Sequence, residues 1–245
     1  MPRTFRALNC RPIGGTPPAR YFSPTSLWPS YKNYNVSPGS APADNTCYQF
    51  GGGTLPSTIT VTFRNGLNSY AGTVDTHIMQ GEPAAGHGAL TDVGWDTEEV
   101  NDNVATQKFA LIRFDNIFGS GANQVPSGAT IQSATLRYVV FDTGDQANVN
   151  AVAVDWTTDL TWNTFGAAAG VQAGDDYGAA RGTATAATTG EKTVDVTASL
   201  AAWISNPSAN RGWIFRPTTN AGVDFRSSEY ATAADRPSLT VQYTN

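Results

Sequence analysis

From residue 58 onward the chain is a succession of short segments in which apolar and polar residues alternate, separated by clusters of turn-forming residues, and this pattern restricts it to a β fold. Ile59, Val61 and Phe63 alternate with threonines at the two-residue period of a half-buried strand. Val74–Met79, Phe109–Phe114, Ile131–Phe141, Val149–Val154, Thr193–Val196, Trp213–Phe215 and Leu239–Tyr243 repeat the pattern. Arg64-Asn65-Gly66, Pro126-Ser127-Gly128 and Asp142-Thr143-Gly144-Asp145 punctuate it as turns. Many short strands without alternating helices predict an all-β protein, a jelly-roll-type sandwich and not a parallel α/β sheet. One short helix is expected at residues 198–206, capped by Thr197 and stopped by Pro207, with Leu200, Trp203 and Ile204 on one face. Residues 166–190, rich in Ala, Gly and Thr, read as a long surface loop with at most a weak strand.

Residues 1–57 follow another rule. They hold nine of the 14 prolines and eight aromatics, Phe5, Tyr21, Phe22, Trp28, Tyr31, Tyr34, Tyr48 and Phe50, with no sustained periodicity. Disordered tails are poor in aromatics because aromatics demand burial. A stiff, extended, aromatic-rich segment needs a surface to lie on, either its own body or, as we expect, a neighbouring subunit. Phe22 and Trp28 are the expected anchors, with Arg3, Arg6, Arg11 and Arg20 as the steering charges.

Charge divides along the same boundary. Residues 1–57 carry five basic groups against one acid, leaving the remainder ten against nineteen, so a basic arm precedes an acidic body. Such a body argues against nucleic acid as its partner, because phosphate binding needs clustered Lys and Arg. No stretch has the apolar core of a secretory signal or the length of a membrane span, so synthesis without export is expected if Met1 is the true start. Cys10 and Cys47 are too few for a disulfide framework and are read as free thiols or one bridge within the arm.

The chemistry of hydrolysis is sparse. Two histidines, His77 and His87, are the whole supply, and Gly-x-Ser-x-Gly, His-Glu-x-x-His and phosphate-cradling loops do not occur in the sequence. His77 alternates within a strand and reads as structural. His87, between Gly86 and Gly88, is expected in an exposed turn, a candidate partner contact for a glycan together with Trp95, the tryptophan expected to be exposed. Trp156, Trp162, Trp203 and Trp213 read as core. The run Asp92, Asp96, Glu98, Glu99, Asp102 reads as a solvated loop, with a structural calcium ion at Asp92, Asp96 and Asp102 as the alternative; no other cofactor is expected.

A further set of segments occurs in a fixed order: Gly72-Thr73-Val74-Asp75-Thr76-His77-Ile78; Ala110-Leu111-Ile112-Arg113-Phe114-Asp115, with Pro126 closing the next loop; Ile131-Gln132-Ser133-Ala134-Thr135-Leu136; Asp155-Trp156-Thr157 and Leu160-Thr161-Trp162-Asn163. Val194-Asp195-Val196-Thr197, Asn210-Arg211-Gly212-Trp213, Phe225-Arg226-Ser227-Ser228-Glu229 and Arg236-Pro237-Ser238-Leu239 complete it. Over about residues 58–245 this order resembles the DNRLRE-domain, or family 96 carbohydrate-binding-module, group of jelly-roll domains. The resemblance implies a non-catalytic sandwich, often an accessory module of extracellular proteins, with some members polysaccharide binders. Arg113 and Glu229 both match the family pattern and fall in otherwise apolar segments, so a buried ion pair between them is expected.

Together these features predict a non-enzymatic protein: an arm-docked, homo-oligomeric component of a large assembly such as a virion surface, made in a host cytoplasm, or alternatively a secreted or cell-surface polysaccharide-binding module.

Overall fold

The computed structural model describes residues 57–101 and 104–245, with the compact unit spanning Pro56–Asn245. The expected arm, with Phe22, Trp28, Arg3, Arg6, Arg11, Arg20, Cys10 and Cys47, lies outside the described residues, as does Asp102. The described part is all-β. Its strands are β1 (Ile59–Phe63), β2 (Thr73–Met79), β3 (Asp92–Asn101), β4 (Val104–Phe114), β5 (Thr130–Asp142), β6 (Ala147–Val152), β7 (Tyr177–Ala184), β8 (Gly190–Asp195), β9 (Trp213–Pro217), β10 (Val223–Arg226) and β11 (Ser238–Thr244). A single α-helix, α1 (Thr197–Trp203), and two one-turn 3-10 segments complete the described elements. No described helix is long and apolar enough to cross a membrane.

One antiparallel sheet curls over on itself into a jelly-roll-type sandwich. In one layer β1 pairs with β11, β11 with β5, and β5 with β8. In the other β2 pairs with β4, β4 with β9, β9 with β6, and β6 with β7. Strand β3 joins the layers: Asp92–Trp95 pair with β10, and Asp96–Asn101 with β4 after a register shift, the local bend a β-bulge produces.

Why the apolar runs of β4 and β9 are nearly continuous is clear from the packing. Ala110, Ile112, Phe114, Trp213 and Phe215 face the main core between the layers, whereas Phe109, Leu111 and Ile214 face a second cluster. Val152, Trp156, Leu160, Phe165 and Tyr177 fill that second cluster, contributed by the segment that crosses the outer side of the sheet. A strand buried on both faces loses the polar alternation of a half-exposed one.

The helix is shorter than expected and is not capped by Thr197. Asp195 Oδ1 accepts the Thr197 N–H at 2.9 Å, and Thr197 Oγ1 instead accepts the Ala134 N–H at 2.9 Å. Ser199, Leu200 and Trp203 face inward, with the Trp203 ring 5.0 Å from Trp213. Residues 92–101, expected as a solvated loop, are strand β3, because Val93 and Trp95 alternate with Gly94 and Asp96 and point to the core. Within residues 166–190 the weak strand is eight residues long, β7, exposed over most of its length.

Candidate functional site

Strand β2 is an edge strand, paired only with β4, and it carries an unusual inward face. Directly opposite residues share a face of a sheet. Asp75 stands opposite Ile112, His77 opposite Ala110 and Met79 opposite Lys108, so Asp75, His77 and Lys108 project to the side of the main core. Polar groups there need partners from the other layer.

Two segments supply them. Asp75, 1% exposed, accepts the Ser228 N–H at 2.8 Å through Oδ2. Ser227 donates its hydroxyl to the Leu90 carbonyl at 2.7 Å and its N–H to the Thr91 carbonyl at 3.1 Å, tying residues 227–229 to the 80–91 loop. Ser228 Oγ donates to Glu229 Oε1 at 2.9 Å. Further along, the His77 and His87 rings stack at 4.4 Å and 26°, both buried, and His87 Nε2 stands 3.6 Å from Glu82 Oε2. Lys108, also buried, places Nζ 2.9 Å from Asp224 Oδ1 of β10. The result is a polar seam closing the sandwich at the β2 edge.

Burial, and secondarily repulsion from Lys108 and His87, lowers His77 to about 3. His87 is lowered chiefly by burial, against the pull of Glu82. Asp75 is pushed well above the usual carboxylate range, first by burial and then by the Glu229 charge, against the Ser228 N–H. Each shift disfavours the charged form in the folded state.

The consequences for stability have opposite signs. For His77 the unfolded chain takes a proton near its ordinary value of 6.5 that the folded chain refuses, so its contribution is present above that value and is lost as pH falls toward about 3. For Asp75 the contribution is present below the ordinary value of 3.8 and is lost as pH rises through the raised one. In mildly acidic solution the two oppose each other. Asp75→Asn keeps a carbonyl for Ser228 and removes the carboxyl, so it should stabilise the domain at neutral pH and steepen its loss on acidification by up to about 1.4 kcal/mol per pH unit. Urea melts across the mildly acidic range measure this; an unchanged slope would contradict it.

Several expected site residues are placed differently. Trp95 is 0% exposed, stacked on Phe215 at 5.3 Å and 10°, so it offers no face to a glycan. Its inward parity with Val93 on β3 is the reason. His87 is 8% exposed, because the loop that carries it folds back onto His77. Arg113 and Glu229 do not pair. Arg113 stands opposite Val74 and therefore points to the outer side, where Nε and Nη2 donate to Asp115 at 2.6 and 3.1 Å, Nη1 donates to the Trp156 carbonyl at 2.9 Å, and the guanidinium lies 4.7 Å from the Trp156 ring centre. Glu229 stands beside Asp75, which faces the opposite side of β2. Asp92 and Asp96 lie on β3, and among the described residues no cluster of three or more ligating side chains could hold a metal ion. Trp156, Trp203 and Trp213 are buried as expected, and Trp162 packs against Phe109 at 6.0 Å.

Asp75, Lys108 and Asp224 are not among the site residues expected from the sequence. The available signal was parity: Asp75, His77 and Met79 share one face of an apolar strand, and Lys108 immediately precedes the apolar run of β4. A second feature lies at the surface, with one exposed ring and two half-buried side chains. Arg226 lies between the Phe141 and Tyr230 rings, at 3.8 and 4.2 Å, and Phe141 is 37% exposed. No family model matches the chain, and no curated protein matches it.

Proposed function

We propose that this protein is a non-enzymatic structural component of a large assembly, of the capsid-decoration or tail-associated kind on a virion surface. Its DNRLRE-like sandwich is displayed, and its N-terminal arm docks on a neighbouring subunit. The observation that carries this reading is the division of the chain: an acidic β body from residue 58 and, before it, 57 residues with a net excess of four basic groups, nine prolines and eight aromatics. Extended polyproline backbone advances about 3.1 Å per residue, so a fraction of that length reaches from one subunit to the next. Basic groups steer the arm toward an acidic surface, and aromatics supply the anchoring area.

Electrostatic steering acts mainly on association rate and fades with salt. Replacing Arg3, Arg6, Arg11 and Arg20 together with glutamine should slow self-assembly at low salt by about tenfold or more, with the difference shrinking as salt rises. Stopped-flow light scattering reads this directly. Equal rates at low salt would remove the arginines from the docking step.

A polysaccharide-binding role, as a secreted or cell-surface module or as the task of the displayed face, is the second reading. What favours it is the Phe141–Arg226–Tyr230 stack, with Phe141 exposed and the other two half-buried, since aromatic and guanidinium surfaces together suit sugar rings. Trp95 and His87, both buried, give it no support.

A further inference from the structure

The Lys108–Asp224 contact has the makings of more than an ion pair. Nζ and Oδ1 are 2.9 Å apart, with the two side chains 9% and 25% exposed. The carboxyl carbon is one bond beyond that oxygen, so a small shift of either side chain brings the amine to the roughly 3–3.5 Å of a near-attack arrangement. The residues come from strands of different layers, β4 and β10. A third group completes the set: Asp96 of β3 stands directly opposite Lys108 in register. Two glycines hold the acids there. A Cβ at Gly94 would collide with the Asp224 carboxylate, and a Cβ at Gly222 would collide with that of Asp96. Both acids thus lie over bare backbone.

We propose that Lys108 and Asp224 condense to an isopeptide bond that staples β4 to β10, with Asp96 as the proton carrier. The reacting forms are the neutral amine and the neutral acid, and transfer of one proton within the pair supplies both. The Nζ lone pair attacks Cγ of Asp224, and the Nζ–Cγ bond forms. Asp96 takes the amine proton and passes it to the departing oxygen. The Cγ–O bond then breaks and water leaves. Ammonium plus carboxylate become amide plus water, with no oxidant, reductant or cofactor. The product also removes two charges from the seam and joins β4 to β10 covalently.

Intact-mass spectrometry of the folded full-length chain under denaturing conditions is the test. The wild-type chain should be lighter than its sequence by one water, and a digest should contain a branched peptide joining Lys108 to Asp224. Lys108→Arg, which keeps the ion pair but cannot form the amide, should show no such loss. Asp96→Asn should leave most chains uncondensed; complete condensation there would remove Asp96 as the carrier. A wild-type chain at full sequence mass, or a water loss that maps to a backbone succinimide, would overturn the staple.

Discussion

Replacing Trp95 with alanine should destabilise the sandwich by about 3–5 kcal/mol, a large part of the roughly 5–15 kcal/mol that holds a typical domain folded. Trp95 is the hub of the main core: its ring is 5.3 Å from Phe215, 5.8 Å from Phe225 and 6.2 Å from Tyr138, and its indole N–H donates to the Asp145 carbonyl at 3.1 Å. These neighbours come from β9, β10 and β5, while Trp95 sits on the strand that passes between layers, so the cavity would open where both meet. Rings fixed by other strands cannot collapse into the gap. Trp95→Phe should cost less, because it preserves most of the stacking and forfeits chiefly the hydrogen bond, worth about 1 kcal/mol. Guanidinium melts of the three proteins decide it. A Trp95→Ala loss below about 1 kcal/mol, accompanied by impaired glycan binding, would return Trp95 to the surface role that its position in an acidic run suggests.

How far the sequence could be read depends on what each residue's signal contained. Strands such as β1, β5 and β11 were legible because an alternation of large apolar and polar groups states both the element and its buried face. Strand β3 was hidden by its acids, although the pair Val93 and Trp95 carried the two-residue period. Parity also governed the site. Arg113 and Glu229 were attractive partners by charge, yet β2 and β4 place Arg113 on the outer side with Val74, while Glu229 meets Asp75 at the inward side. Charge complementarity names candidates, and the face of the strand selects among them. His87 illustrates the limit: two flanking glycines mark a turn, but a ring stack with a residue ten positions away on a neighbouring strand is a tertiary fact. For the same reason Lys108, Asp96 and Asp224 become a set only once three strands are in register.

The other large effect belongs to the arm. The sandwich has its own core, with Trp95, Trp213, Tyr138 and nine more large side chains fully buried, so deleting residues 1–50 should leave it folded. What should vanish is assembly. A basic, proline-stiffened, aromatic-rich segment has the wrong composition for a solvated tail and the right one for a strap. Losing it removes both the anchors, Phe22 and Trp28, and the steering arginines at once. Sedimentation velocity of the full-length chain and of the chain lacking residues 1–50, each checked for a cooperative melt, is the most direct measurement. The docking account predicts a multi-subunit species for the full-length protein and a folded monomer for the truncated one. A truncated protein that assembles to the same extent as the full-length chain would contradict it.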